Sequence, residues 1–130
     1  MPSISVDLVA GVLVLHGIAH LVGFIAPWRI LEMTEVPYKT TVLGGAIDVG
    51  DAGIRVVGVL WLIAAIAFAA SAMGLLTHAL WWRGMALSVT GLSIILTASE
   101  LPRTKIGLAL NVAILLVLLS DARFDWLPTV

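Results

Sequence analysis

Four long stretches of the chain contain no Asp, Glu, Lys or Arg. They cover residues 8–26, 56–82, 84–99 and 106–120. Crossing a bilayer takes a helix of about 20 mostly apolar residues. The second stretch is long for one span and the third is short, and a tight turn at residues 74–78 accounts for both lengths. The pattern therefore predicts four transmembrane helices, at about 5–26, 54–73, 79–99 and 104–120, in a single domain 1–130.

The connection between the first two helices, residues 27–53, is long and of mixed polarity. Within it, two short β-prone runs flank the pair Gly44–Gly45, which is the pattern of a hairpin with a two-residue turn. An irregular loop or a re-entrant segment buried in protein is the alternative. The predicted fold is an all-α membrane protein, a four-transmembrane-helix bundle with a β-hairpin in the long loop.

Composition supports burial in lipid. Hydrophobic residues make up 61% of the 130 residues and charged residues 12%, whereas soluble domains are about half apolar and roughly a quarter charged. A chain this short cannot bury all of these apolar side chains in its own core. The lipid bilayer is therefore the expected partner. The net charge of −1 argues against binding nucleic acid, and the absence of cysteine removes disulfides and thiolate chemistry.

The N-terminal run has the length of a secretory signal, but it lacks a basic leading segment and carries Asp7. We therefore expect a retained first helix. Basic residues favour the long-loop side, which has Arg29, Lys39, Arg55, Arg103 and Lys105, against Arg83 and Arg123 on the side of the termini. The positive-inside rule then predicts a multi-pass protein of the cell membrane, with a cytoplasmic long loop and both termini outside.

Polar residues fall at helical spacing, three or four positions apart, in each predicted helix. The sets are His16 and His20; Thr90, Ser93, Thr97 and Glu100; Thr104, Gly107 and Asn111; and, if the second helix starts early, Asp48, Asp51, Arg55 and Gly58. Such stripes should face the bundle interior, because polar groups facing lipid are costly. We expect His20, Asp51, Arg55, Glu100, Lys105 and Asn111 to converge on one polar pocket beneath the hairpin.

These residues suggest acid–base chemistry or recognition of a polar group on a lipophilic ligand. The candidate catalytic residues are His20, Asp51 and Glu100. The candidate ligand-binding residues are His16, Asp48, Arg55, Trp61, Thr97 and Asn111. A carboxylate and a histidine supply an acid and a base, and Arg55 stabilises an anion, which suits isomerisation, epoxide opening or cyclisation of a terpenoid, steroid, quinone or epoxide.

Structural roles compete with these. Asp51 is a suitable helix N-cap. The Ser and Thr hydroxyls can bond to carbonyls of the preceding turn, and Asn111 can join two helices. No cofactor or metal ligand set is predicted outright, but the spacing of His16 and His20 leaves a His-ligated metal or a haem open. Besides ligand binding and metal or haem binding, the protein could be a structural or accessory subunit of a membrane complex. Its partner could also be a second copy of itself, in a homo-oligomer.

Residues 16–24 read His-Gly-Ile-Ala-His-Leu-Val-Gly-Phe. This segment resembles the His-Gly-x-x-His-x-x-Gly-Phe signature of small bacterial four-helix membrane proteins that are loosely DoxX-like. Segments 41–45, 55–61 and 107–116 are similar to such proteins as well. The resemblance implies the four-helix fold and implies no activity or cofactor.

Overall fold

The computed structural model describes residues 3–127, which form four long helices and a small hairpin. Helix α1 spans Ile4–His20 and continues after Leu21 as a single turn, α2, at Val22–Ile25. The strands β1, Thr41–Val42, and β2, Ile47–Asp48, precede α3, Gly50–Leu76. Helices α4, Trp82–Ser99, and α5, Lys105–Phe124, complete the chain. The predicted all-α fold with a hairpin in the long loop agrees with this element order.

Local chemistry explains where the outer helices begin and end. The Ser3 hydroxyl accepts a hydrogen bond from the Val6 N–H, and Asp7 lies in the first turn, where an acidic side chain complements the helix dipole. Asp125 follows the last residue of α5 and caps the helix. It adopts the left-handed conformation with φ of 49° and donates its N–H to the Asp121 carbonyl at 2.7 Å.

Helix α3 is longer than predicted at both ends. It begins at Gly50 rather than near residue 54 and runs to Leu76, so the turn lies at residues 77–81 instead of 74–78. Gly74 does not break the helix. It allows the next helix to fold back closely, because a Cβ there would lie 2.7 Å from the Trp82 Cβ. The chain reverses instead at His78, which has a φ of 57°.

The hairpin exists, and Gly44 and Gly45 form the predicted two-residue turn at its tip, with positive φ of 64° and 91° and a hydrogen bond from the Ala46 N–H to the Leu43 carbonyl at 3.2 Å. Thr41 pairs with Asp48 and Val42 with Ile47, so the strands end one residue before this turn on each side. The Leu43 N–H donates to the Ser99 carbonyl at the end of α4, at 2.8 Å. Since the Leu43 N–H bonds to α4, it is not available to the Ala46 carbonyl, and the strand pairing stops at Val42–Ile47.

The helices pack in chain order: α1 on α3, α3 on α4, and α4 on α5, while α1 and α5 make little contact with each other. Phe68, Leu75, Trp82 and Leu118 are fully enclosed at the centre. Many large apolar side chains lie on the outside instead, among them Ile4, Leu15, Ile66, Leu80, Ile95, Ile106 and Leu116. The helices Ile4–Ile25, Gly50–Leu76 and Lys105–Phe124 are long and apolar enough to cross a membrane.

Two glycines of the residue 16–24 motif bring α1 and α2 against α3. A Cβ at Gly17 would lie 3.0 Å from the Ala65 carbonyl oxygen and 3.0 Å from the Phe68 Cβ. A Cβ at Gly23 would overlap the Trp61 ring. The motif therefore places both histidines next to α3 through close backbone approach.

Candidate functional site

Five buried polar residues from three helices form one cluster in the interior of the bundle. His16 and His20 come from α1, Ser93 and Thr97 from α4, and Asn111 from α5, and each is at most 5% exposed. The helical spacing of these polar residues predicted that they face the bundle interior. Four of the five, His16, His20, Thr97 and Asn111, were also predicted site residues. The fifth, Ser93, was recognised only as part of a stripe.

The hydrogen bonds of this cluster close into a ring. His16 Nε2 lies 2.8 Å from Asn111 Oδ1, and Asn111 Nδ2 donates to Thr97 Oγ1 at 3.1 Å. The Thr97 hydroxyl donates to the Ser93 carbonyl at 2.7 Å. Ser93 Oγ lies 2.5 Å from His20 Nε2, and His20 Nδ1 lies 2.7 Å from the His16 carbonyl.

The ring sets the direction of every bond when both imidazoles are neutral. A carbonyl only accepts, so His20 Nδ1 carries the proton and its Nε2 accepts from the Ser93 hydroxyl. The Thr97 hydrogen goes to the Ser93 carbonyl, so Thr97 Oγ1 accepts from the Asn111 amide nitrogen. Asn111 Oδ1 therefore faces His16 Nε2, which must be the donor. The two histidines are held as opposite tautomers.

Aromatic rings on α3 cover the histidines. The ring centroid of His16 lies 4.6 Å from that of His20 and 5.0 Å from that of Phe68. The ring of His20 lies 5.0 Å from Trp61 and 5.1 Å from Phe68. The network is therefore packed on one side by apolar rings, which strengthens its hydrogen bonds by excluding water.

One imidazole nitrogen is left over. Within residues 3–127, Trp82 Nε1 is the only side-chain nitrogen or oxygen that is fully enclosed without a hydrogen-bond partner. Nδ1 of His16 also makes no hydrogen bond to the described residues. Since it is not among the enclosed atoms without a partner, it retains some accessible surface. In the tautomer that Asn111 imposes, this nitrogen presents a lone pair.

An apolar groove separates α1 from α5 next to the cluster. It has a volume of about 260 Å³ and is lined by Leu8, Val9, Val12, Leu13, Leu110, Ala113, Ile114, Val117 and Leu118. Val12 and Leu13 lie one helical turn before His16, and Ile114 lies one turn after Asn111. The His16–Asn111 hydrogen bond therefore joins the two helices at the end of the groove.

Glu100 belongs to a second, separate cluster at the long-loop end. Its carboxylate is buried and pairs with Lys39 Nζ at 3.2 Å and with Arg103 Nη2 at 2.8 Å. A small cavity of about 20 Å³ lies there, and Trp61 lines it together with these three residues. That volume is about what one water molecule needs. Trp61 thus packs against His20 and also lines the cavity beside Glu100. None of the hydrogen bonds and ion pairs of the described residues joins Glu100 to either histidine.

The remaining predicted residues lie on the surface of the long-loop end. Asp51 does not cap α3: its exposed carboxylate accepts from the Tyr38 hydroxyl and pairs with Arg29 at 3.6 Å. The exposed Arg55 has its guanidinium 5.6 Å from the Trp28 ring, and Lys105 is exposed. The expected single pocket of six residues is therefore wrong, because only His20 and Asn111 of that set belong to the buried network, where other residues of the network link them.

Asp48 supports the loop rather than a pocket. Its Oδ1 accepts a hydrogen bond at 2.9 Å from the N–H of Gly50, the first residue of α3. This bond, together with one from the Thr40 hydroxyl, holds the pKa of Asp48 below its ordinary value. Because free N–H groups at a helix start need acceptors, Asp48 performs the role that the sequence suggested for Asp51.

The opposite end of the bundle contains a buried ion pair that the sequence did not indicate. Arg83 Nε donates to Asp121 Oδ2 at 2.7 Å, and Arg83 Nη2 donates to Asp125 at 3.0 Å. Asp121 is fully buried and also accepts from the Leu127 N–H at 2.6 Å. The predicted fourth helix ended at residue 120, but α5 continues one turn further, to Phe124, and carries Asp121 inside.

The hydrogen bonds leave little capacity for a metal or a haem. Both nitrogens of His20 are in use, as is Nε2 of His16. Within residues 3–127, no group of three or more His, Asp or Glu side chains is placed to share a metal ion. Ligation by His20 would require breaking its bond to Ser93, or to the His16 carbonyl. Of the two imidazoles, only Nδ1 of His16 is able to ligate a metal without the loss of a hydrogen bond.

Side chains of α1, α4 and α5 thus form the site, and the aromatic rings of α3 pack against one side of it. Gly17 and Gly23 seat residues 16–24 on α3. The chain matches no protein-family model, no curated protein and no solved structure.

Proposed function

We propose that the protein is a cell-membrane protein of four transmembrane helices that binds a small lipophilic molecule in the groove between α1 and α5. The single observation that carries this proposal is the apolar groove that ends at a buried polar network. Binding sites of this kind are mostly apolar, with a few fixed polar groups that orient the ligand.

The size of the groove suits a short chain or a small ring system. An apolar cavity of about 150 Å³ is large enough to hold benzene, and the groove has a volume of about 260 Å³. All nine lining residues are apolar, and the groove opens on the outer face of the bundle between α1 and α5. A ligand would therefore enter sideways from the bilayer, and a longer molecule would leave its end among the lipids.

A membrane crossing by α4 follows from its neighbours. Helix α4 joins α3 to α5 through two short links, at 77–81 and 100–104, and packs against both. Its 18 residues extend for about 27 Å, close to the thickness of about 30 Å of the hydrocarbon core. Its hydroxyls at Thr90, Ser93 and Thr97 are buried inside the bundle, so they add no polar surface toward lipid.

The geometry favours binding over the catalytic variant of this function. Asp51 is exposed and Glu100 is paired with two cations, so neither carboxylate contacts His20. The acid–base pair needed for isomerisation or cyclisation is therefore not assembled between these residues.

The test is photolabelling of the full chain in phosphatidylcholine nanodiscs with a diazirine derivative of decan-1-ol. We expect saturable labelling of α1 and α5 residues that line the groove. Ala113 lines the groove, so Ala113→Phe should reduce this labelling about tenfold by filling it. Ala109 is exposed on the same helix outside the groove, and Ala109→Phe should leave labelling unchanged. Labelling that is not saturable, or that Ala113→Phe does not reduce, would overturn the proposal.

A structural or accessory subunit is the second candidate, and the closed hydrogen-bond ring favours it. A ring that satisfies its own donors stabilises a bundle without any ligand. Purification at native expression level in a mild detergent tests this candidate. A stoichiometric partner protein supports it, and a protein that purifies alone contradicts it.

A further inference from the structure

The two tautomers of the histidine pair determine which ligand chemistry the site accepts. Asn111 presents its oxygen to His16 Nε2 because its nitrogen is already committed to Thr97. His16 Nε2 therefore carries the proton, and Nδ1 carries a lone pair without a partner within residues 3–127. Nδ1 is a hydrogen-bond acceptor and not a donor.

His16 is 5% exposed, so its side chain is nearly enclosed, yet Nδ1 is not among the fully enclosed atoms that lack a partner. A buried acceptor without a donor has an unmet hydrogen-bonding requirement. The groove between α1 and α5 ends one turn from this residue, and its lining offers no polar group of its own.

We propose that the groove selects a lipophilic alcohol, whose hydroxyl donates to Nδ1 of His16 while its apolar part lies between α1 and α5. This inference rests on the proposed function and specifies its ligand class. An ether, a ketone or an aldehyde brings only acceptor oxygens, and these oppose the lone pair of Nδ1. A carboxylate repels the same lone pair and would lose its hydration in an apolar groove. A hydroxyl is the oxygen group that supplies a donor without a charge.

The experiment compares two competitors for the photoreactive decan-1-ol derivative on the full wild-type chain in phosphatidylcholine nanodiscs. The competitors are decan-1-ol and its methyl ether, 1-methoxydecane, at equal mole fraction within the membrane. The two molecules share the apolar chain and differ in the hydroxyl hydrogen. We expect decan-1-ol to compete about three- to tenfold better, the usual contribution of one hydrogen bond.

The outcomes separate this inference from the proposed function. Equal competition by alcohol and ether, with labelling still saturable, overturns the alcohol preference and leaves groove binding intact. Labelling that neither competitor displaces overturns groove binding itself.

Nitrogen NMR of isotope-labelled histidine provides a second readout that needs no variant of the cluster. The chain has three histidines, and His78→Gln in the α3–α4 turn leaves the resonances of His16 and His20. We expect one ring protonated at Nε2 and the other at Nδ1. Decan-1-ol should shift the unprotonated nitrogen of the Nε2-protonated ring, and 1-methoxydecane should not. Two rings with the same tautomer, or no shift with the alcohol, would contradict the proposal.

Discussion

The hydrogen bonds of single residues determine whether polar side chains are tolerated in the interior of this bundle. His16, His20, Ser93, Thr97 and Asn111 are buried in a chain whose surroundings are apolar, and unpaired polar groups there are costly. Each is acceptable because its neighbours in the ring supply the missing donor or acceptor, with Nδ1 of His16 as the one exception in this cluster. Removing one member therefore affects more than one hydrogen bond.

Ser88 and Ser93, both in α4, give a matched test of this dependence. Ser93→Ala removes the donor to His20 Nε2, and we expect it to lower the free energy of unfolding by about 1–2 kcal/mol. Ser88 is exposed and bonds only to the Gly84 carbonyl of its own helix, so Ser88→Ala should change stability by less than about 0.5 kcal/mol. Thermal unfolding in nanodiscs measures both. Equal effects of the two substitutions would mean that the ring contributes no stability.

Single residues also show why the candidate site was only partly predictable. The spacing of His16 and His20, and of Thr97 and Asn111 on their helices, was sufficient to place them inside, since interior faces repeat every three or four residues. The sequence could not show that Asp51 would meet Arg29 and Tyr38 rather than His20. Its position depends on how the long loop folds over the start of α3.

At the scale of elements, contact between α1–α2 and α3 depends on glycines that allow close approach. Gly17 faces Ala65 and Phe68, and Gly23 supports the Trp61 ring. Trp61 in turn packs against His20, with ring centroids 5.0 Å apart. A side chain at Gly23 would therefore displace the wall of the polar cluster as well as the helix.

Gly23→Ala and Gly11→Ala separate this packing role from the ordinary effect of glycine in a helix. We expect Gly23→Ala to destabilise the protein by about 1–3 kcal/mol, because its Cβ would overlap the Trp61 ring. A Cβ at Gly11 meets nothing within 4 Å, so Gly11→Ala should be neutral or stabilise by up to about 1 kcal/mol. Thermal unfolding followed by tryptophan fluorescence measures both changes. Destabilisation by Gly11→Ala and none by Gly23→Ala would refute the packing role.

At the scale of the whole molecule, polar groups are concentrated at three levels of the bundle. Glu100 with Lys39 and Arg103 lies at the long-loop end, the histidine ring lies in the interior, and Arg83 with Asp121 ties α4 to α5 at the other end. Apolar side chains dominate the outer surface between the ends. This distribution matches a bundle whose two ends lie at the membrane surfaces.

Four crossings require the long loop and the C-terminal end of α5 to lie on opposite sides of the membrane. The chain has no cysteine, so single cysteines at Gly45 and at Asp125 can be labelled without background. With a membrane-impermeant maleimide on intact cells, we expect labelling of Asp125→Cys and protection of Gly45→Cys until the cells are opened. The reverse pattern would overturn the orientation alone. Labelling of both, or of neither, would overturn the four-span arrangement.

The sequence by itself determined the number and approximate extent of the helices and the presence of the hairpin. It could do so because these depend on runs of apolar residues and on local turn chemistry. It also determined which faces carry polar groups, since helical spacing is a local property. The sequence could not give the end of α3, because Gly74 does not end the helix but allows close packing against Trp82.

Only the tertiary structure decided which polar residues meet. It separated Glu100 from the histidines, brought Asp121 to Arg83, and left a groove where α1 and α5 part. These outcomes depend on the rotation of each helix and on how the 27–53 loop lies over the bundle. Contacts between residues that are 38 or 95 positions apart, such as Arg83–Asp121 and His16–Asn111, follow from packing and have no signature in local sequence.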